Sequence, residues 1–211
     1  PVHFLPMRIL VSNDDGVTAP GLSALCDAVF GLGELSVVAP ATHQSAAGHA
    51  ITLKRPLAVA RVPLECTEDI HALSVDGSPA DCVRLAIRRL LDAPPELVLS
   101  GINAGANVGH NVFYSGTVAA ALEAAMMDIP SVAFSLEVND APLDYARTAR
   151  ICRSVLVRLL ESGLGSGDLI NVNVPNRPLE EIVGIHVVHQ SRAGIEDIYN
   201  PHESDHPGES Y

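Results

Sequence analysis

The sequence predicts an α/β protein built on a mostly parallel sheet. Short apolar runs suited to buried strands recur along the chain and alternate with stretches of helical periodicity. The first three elements form a strand–helix–strand unit, the mark of a parallel sheet covered by helices. The chain has 211 residues, 47% of them hydrophobic, which suffices for one full core and leaves little room for a second.

Arg8–Val11 is a short apolar run that ends in Ser12-Asn13-Asp14-Asp15-Gly16, so it reads as a strand followed by a loop. Pro20 suits the first turn of a helix, and Leu22, Leu25, Cys26 and Val29 repeat at helical spacing behind it. Leu35–Ala39 is the second strand, stopped by Pro40, and Ala41–His49 is a small, polar loop. From Ile51 to Val62 the pattern is strand-like but broken by Pro56, and His71–Val75 is another short strand, so about 51–75 is expected to form a β-hairpin excursion. Pro79 opens a helix with Ala80, Val83, Ile87, Leu90 and Leu91 inward. Leu97–Leu99 is a third parallel strand that enters a glycine-rich loop, Ser100–Gly116. Thr117–Met127 is an alanine-rich helix, Ser131–Phe134 a strand and Leu143–Leu160 the longest helix, with Ala146, Ala149, Ile151, Val155 and Leu159 expected inside. Leu169–Val174 closes the sheet. After Pro175 the signals weaken: Val183–His189 can form one more strand, and Gln190–Tyr211 has no periodicity and reads as an arm or tail. The expected division is therefore a core over 7–175 and an extension over 176–211.

Charge and composition exclude several functions. The formal net charge is −12, against a general binder of nucleic-acid polymer or a basic membrane-surface protein. No apolar run reaches the ~18–20 residues of a membrane span. Pro1–Pro6 has neither a basic region nor an apolar signal core; Met7 is the expected natural start, with a leader or cloning remnant before it. Cys26, Cys66, Cys82 and Cys152 form no CxxC pair, which argues against a zinc knuckle or disulfide framework and fits a reduced, cytoplasmic setting.

Open α/β sheets bind ligands beyond the carboxyl ends of their strands. Two loops there carry unusual chemistry. Asp14 and Asp15 are adjacent carboxylates that repel each other unless a cation joins them, and hard oxygen ligands suit Mg²⁺, Mn²⁺ or Ca²⁺. Alone, Asp-Asp-Gly is also an ordinary turn with solvated acids. The glycine-rich loop can aim backbone N–H groups at one point, and the helix after it offers a terminus that favours phosphate, with Ser115 and Thr117 as hydroxyl donors. Alone, Ser115 or Thr117 is equally a plain helix cap. Together the loops suggest a cation and an oxyanion held side by side. Asn103 is a neutral oxygen ligand placed to complete the metal shell, and Ser45, in the loop after the second strand, can add another. Loop histidines such as His43, His49 and His110 read as solvent-exposed, His186, His189, His202 and His206 stay unassigned, and Tyr114 is expected to pack rather than stack on a base.

The motifs resemble those of the SurE (stationary-phase survival) family of metal-dependent nucleotidases. The matching segments are Arg8–Val17 with Ala19-Pro20-Gly21, Val37–Pro40, Gln44-Ser45, Thr52-Leu53, Gly77–Val83, Ser100–Gly109, Tyr114–Val118, Pro130-Ser131 and Asn171–Pro175, within Met7 to about Val188. The resemblance implies a Rossmann-like three-layer sandwich with a small C-terminal β extension, and a phosphatase of nucleoside 5′-monophosphates, with 3′-monophosphates as a further class. It implies one divalent cation per subunit on Asp14, Asp15, Ser45 and Asn103, and assembly as a homodimer or homotetramer. Asp14, Asp15, Asn103 and Ser115 are the expected catalytic residues. Asn13, Gly105, Asn107, Ser115, Gly116 and Thr117 are expected to bind phosphate. This chain departs from the family pattern at Ala41, Ala46 and Asn111, and family members usually continue some tens of residues past the position of Tyr211.

Two other readings compete. Phosphatases of the haloacid dehalogenase type use a strand-end Asp as nucleophile, but in an Asp-x-Asp pattern that this chain lacks. A nucleotide- or phosphate-binding module without catalysis would bind the same ligand and release no phosphate.

Overall fold

The computed structural model describes residues 7–44, 46–64, 66 and 70–194. Seven strands form one sheet: β1 (Met7–Ser12), β2 (Gly33–Pro40), β3 (Val59–Pro63), β4 (His71–Val75), β5 (Leu97–Ala104), β6 (Ser131–Leu136) and β7 (Leu169–Val174). Their order is β3-β4-β2-β1-β5-β6-β7, and every pairing is parallel except β3 with β4. The helices are α1 (Pro20–Val29), α2 (Pro79–Leu85, continued by a π turn over Ala86–Leu90), α3 (Asn111–Tyr114), α4 (Gly116–Ala125) and α5 (Tyr145–Ser162).

Alternation along the strands sorts the core into two faces. Ile9, Val11, Val37, Leu97, Leu99 and Phe134 pack against α1 and α5 through Leu22, Leu25, Cys26, Ala149, Cys152 and Leu156. Leu10, Val38, Val75 and Val98 pack on the other face against Cys82, Val83 and Ala86 of α2 and Ala120 and Ala124 of α4. The result is helix, sheet, helix: the three-layer α/β architecture expected. From β1 the chain steps outward through β2 to β4, then crosses back over the α2 face to β5 and continues outward through β6 and β7. The reversal falls between β1 and β5, the place where such sheets open a crevice at their strand ends.

One connection departs from the usual rule. Both β5–α4–β6 and β6–α5–β7 step outward in the same direction, yet α4 lies on the α2 face and α5 on the α1 face. The β6–α5–β7 crossover therefore has the opposite hand to the others, against the strong general preference for a single hand. Its consequence is local: the start of α5 lies beside α1 near the β1 end of the sheet. There the Tyr145 ring and the Ile102 carbonyl both press on Gly21, where an added Cβ would lie 3.0 Å from Tyr145 Cε1 and 2.0 Å from the Ile102 oxygen. Pro20 opens α1 and Gly21 lets it settle directly on the β5 backbone.

Several expectations are corrected. β5 runs on to Ala104, five residues into the expected loop, because residues 103 and 104 pair with Ser135 and Leu136 beyond a register shift. The strand expected from Ile51 is shorter and later, at Val59–Pro63. Ala146 is exposed; the buried stripe of α5 is Thr148, Ala149, Cys152, Val155 and Leu156, with Ile151 and Leu159 half-buried. The strand at Val183–His189 is not formed: past the 3₁₀ turn at Leu179–Glu181, residues 182–194 carry no regular element, and those beyond lie outside the described residues.

The segment between β2 and β3 is held by a helix cap. Ser78 caps α2, accepting from the Asp81 N–H, and Asp81 returns a bond from the Ser78 N–H. The same carboxylate accepts from the Thr52 N–H at 2.8 Å and the Thr52 hydroxyl at 2.7 Å. Burial pushes the Asp81 carboxyl up, but these four contacts with Thr52 and Ser78 outweigh it and hold the group below its ordinary value. The stabilisation is thus full above the unfolded-state value of 3.8 and is lost as pH falls through the lower folded-state value. Asp81→Ala is expected to cost about 2–4 kcal/mol at pH 7, from a lost cap and stranded donors. Urea unfolding should show that gap shrinking from pH 5 toward pH 3 as the wild-type carboxylate is protonated.

Candidate functional site

Ser12 of β1 registers with Ser100 of β5, so residues 13–16 leave β1 beside the last residues of β5, 101–104. The Asp-Asp turn is closed from within: Asn13 is buried, and its Nδ2 donates to the Gly16 carbonyl at 2.9 Å. Gly16 has φ +103°, a conformation that favours glycine. The loop after β2 is drawn onto this turn by two backbone bonds, Val17 N–H to Pro40 O and Gln44 N–H to Asp14 O, both 2.8 Å.

Asp14 is buried and seated on the first turn of α4. The Thr117 hydroxyl donates to its Oδ1, and the Thr117 N–H adds a second bond. The approach is close because residue 116 has no side chain: a Cβ there would lie 2.7 Å from Asp14 Cβ and 3.0 Å from its Oδ2. A helix N-terminus favours an anion, and here the first anion it holds belongs to the protein itself. Burial nevertheless pushes the Asp14 carboxyl above its ordinary value; the neighbouring Asp15 charge adds to this, and the Thr117 bonds pull the other way. Asp15 is partly exposed, with its Oδ1 3.1 Å from His43 Nδ1. Tyr145 stands close enough that burial first, and then the Asp15 charge, raise its phenol.

The other expected residues divide. Ser115 is the N-cap of α4, its Oγ accepting from the Val118 N–H at 3.1 Å, which leaves its hydroxyl proton to donate elsewhere. Asn103 lies at the end of β5; its Nδ2 donates to Gly105 O at 2.6 Å, which orients the amide and leaves its oxygen able to accept a cation. Ser45 lies outside the described residues. The glycine-rich loop differs from expectation. The Gly105 N–H is spent on Leu136 O at 2.8 Å, and the Asn107 N–H on Asn173 Oδ1 at 2.8 Å. Asn107 Nδ2 bonds Ser135 Oγ, and its carbonyl accepts from Asn171 and Asn173. These two residues lock the loop to β6 and β7 rather than offering donors to an anion. The asparagines of β7 are the other half of that lock.

Two further expectations change. His49 is only 27% exposed in its side chain and its Nε2 pairs with the buried Glu123 at 2.8 Å. Phe113 and Tyr114 are 73% and 56% exposed on α3, so Tyr114 does not pack inside. Tyr145 and Glu123 were not singled out from the sequence. Tyr145 carried one signal, its place at the start of a helix that follows a strand end.

The donors gathered here fit a hard divalent cation. Two adjacent carboxylates and an amide oxygen supply an all-oxygen set, and the buried Asn13 Oδ1 beside them has no hydrogen-bond partner. Among the described residues no group of three or more His, Cys, Asp or Glu could hold a metal, so a cation here would depend on neutral amide and hydroxyl oxygens as well.

An open α/β sheet with an acidic pair at its switch point and a helix N-terminus beside it defines a phosphate- or nucleotide-handling class of protein. Residues 9–197 match the family model described as Survival protein SurE, and the chain belongs to that family. It is 46% identical over 93% of its length to a 5′-nucleotidase SurE of Carboxydothermus hydrogenoformans, covering 74% of that protein, and 48% identical over 83% of its length to one of Geotalea daltonii, covering 68%. The crystal structure of the SurE protein from Aquifex aeolicus matches with a TM-score of 0.80 at 37% identity, covering 94% of this chain and 78% of that one.

Gly116→Ala is expected to force Asp14 off the α4 terminus, at about 1–3 kcal/mol of stability from overpacking, and to weaken Mn²⁺ binding at least tenfold by calorimetry. Thr117→Val keeps the shape and removes the hydroxyl, so it should weaken Mn²⁺ binding with a smaller loss of stability.

Proposed function

We propose that this chain is a divalent-metal-dependent phosphomonoesterase acting on nucleoside 5′-monophosphates, with 3′-monophosphates as a further substrate class. The observation that carries the reading is the Asp14–Asp15 pair, one member buried on the α4 terminus and the other partly exposed beside His43, at the switch point of the sheet. The relatives named as 5′-nucleotidases support the substrate class.

Asp14, Asp15, Asn103 and Ser45 would hold one Mg²⁺ or Mn²⁺ per subunit. When bound, such an ion neutralises phosphate charge and makes water more acidic. Ser115 O–H and the Gly116 N–H would donate to the non-bridging oxygens of the phosphate, beside the acidic pair. Asp14 cannot readily serve as base, because both Thr117 donors engage its carboxylate. Asp15 is the more exposed carboxylate of the pair and would take the proton of the attacking water. The new P–O bond forms as the ester P–O bond breaks, and the leaving alcohol oxygen receives a proton from solvent. Asn13, Gly105 and Asn107 then act as scaffold for the site.

The reading extends to assembly and setting. Val183, Ile185, Val187 and Val188 are exposed along an extended segment, in keeping with a homodimer or homotetramer. The four cysteines are free, in keeping with a reducing cytoplasm. No helix among the described residues is long and apolar enough to cross a membrane.

The test is phosphate release from 5′- and 3′-monophosphates of adenosine, guanosine, cytidine and uridine, with EDTA and with Mg²⁺ or Mn²⁺. The expected result is metal-dependent release that falls at least a hundredfold in Asp15→Asn. Mn²⁺ and nucleotide binding without release would replace the enzyme by a binding module.

A further inference from the structure

Behind the acidic pair lies a second ionic cluster that the proposed reaction does not use. Glu123, in the body of α4, is 3% exposed. Its Oε1 accepts from Arg84 Nη1 of α2 at 2.8 Å, and its Oε2 accepts from His49 Nε2 at 2.8 Å. Arg84 alone supplies the counter-charge that a buried carboxylate needs. What His49 adds is a connection, because it belongs to the loop that follows β2.

That loop touches the site at successive points. The Gln44 N–H donates to Asp14 O at 2.8 Å, and His43 Nδ1 lies 3.1 Å from Asp15 Oδ1. Further along, the Gly48 N–H donates to Tyr114 O at 3.0 Å, next to the Ser115 cap, and Ala50 O accepts from Ser78 Oγ at 2.5 Å. Residue 43 therefore contacts the Asp15 carboxylate and residue 44 holds the Asp14 backbone, while residues 48–50 are tied to the elements behind them. The His49–Glu123 pair is a side-chain tie between this loop and the helix on which Asp14 is seated.

We propose that His49 is a positioning residue: its bond to Glu123 fixes the loop after β2 relative to α4, and so fixes the spacing of Asp14 and Asp15 that a divalent cation requires. The inference rests on the metal-dependent reading above. A bond that orients ligand-bearing segments without touching the metal typically carries a 10–100-fold effect on metal affinity.

The experiment is calorimetric titration of the full chain with Mn²⁺ alone, for wild type, His49→Ala and His49→Gln, with thermal unfolding and phosphate-release kinetics alongside. Gln places an N–H donor near the position of His Nε2, whereas Ala has none. The expected result is Mn²⁺ binding weakened roughly tenfold or more in His49→Ala, with its melting temperature within about 3 °C of wild type, and binding restored in His49→Gln. In kinetics the loss should appear at limiting Mn²⁺ and shrink at saturating Mn²⁺, which a general loss of packing would not produce. Mn²⁺ affinity of His49→Ala within about twofold of wild type would overturn the inference while leaving the metal-dependent reading intact. Wild type without Mn²⁺ binding would overturn both. If His49→Ala does not fold, His49→Asn, whose amide is too short to reach Glu123, takes its place in the same comparison.

Discussion

Asp14 is a carboxylate held almost wholly out of water, next to another carboxylate. Burial and a like charge both work against its ionised form. The opposing force is the first turn of α4, whose Thr117 hydroxyl and N–H converge on one carboxylate. That contact requires a bare backbone at residue 116, a cap at residue 115 and a helix positioned by β5 and β6. Ser115-Gly116-Thr117 supplies the cap, the bare position and the hydroxyl itself in consecutive residues, and the sheet supplies the placement of the helix. The contact also leaves Asp14 and Asp15 unequal. One is fixed and hydrogen-bonded; the other faces His43 and the open side of the site. Adjacent acids in a solvated turn would have no such asymmetry, and the proposed second role of Asp15, as base, depends on it.

The sheet supplies the frame for that contact. β1 and β5 lie side by side at the point where the strand order reverses, so the segments after them diverge over a crevice. The lock between Asn107 and the β7 asparagines serves the same end from the far side. A long loop beside a charged site would sample many conformations; three bonds to Asn171 and Asn173 and one to Ser135 hold it to the sheet. Its glycines then have a different role from the expected one. At Gly105 a φ of +127° lets the backbone turn back so that its N–H meets the Leu136 carbonyl.

Local pattern was a good guide wherever local physics decides. Short apolar runs, Pro20 and Pro79 at helix starts, and Ser115 as a cap made all but one of the strands and most of the helices legible; the Ser78 cap was not read from the sequence. The Asp14–Asp15 pair, Asn103 and the Ser115–Thr117 turn could be named as site candidates because their chemistry is unusual for their position. What could not be read were the long-range choices. Whether the Asn107 amide faces a ligand or Ser135 depends on a strand 28 residues away. Whether His49 is solvated depends on a carboxylate 74 residues away. The face taken by α5, and with it the place of Tyr145, follows from a crossover hand that runs against the general preference, so no local signal could have announced it. The one strand that failed to form, Val183–His189, has a strand-like pattern but no pairing partner among the described residues. Periodicity reports a preference, and an unpaired strand cannot satisfy its backbone groups alone.

A formal charge of −12 looks ill suited to an anionic substrate, yet the arrangement of the charge removes the conflict. Attraction between exposed charges fades over about 8 Å at physiological salt, so distant acids weigh little at the site. The acids that matter are the nearest ones, and their fields are not expressed freely: Asp14 is engaged by Thr117, and Glu123 by Arg84 and His49. Asp15 lies beside His43, and its charge raises both the Asp14 carboxyl and the Tyr145 phenol. A site in which one carboxylate perturbs both of its neighbours is one that gains from a cation. On this view the acidic pair and the proposed anionic substrate do not compete, since the same cation that relieves the first attracts the second.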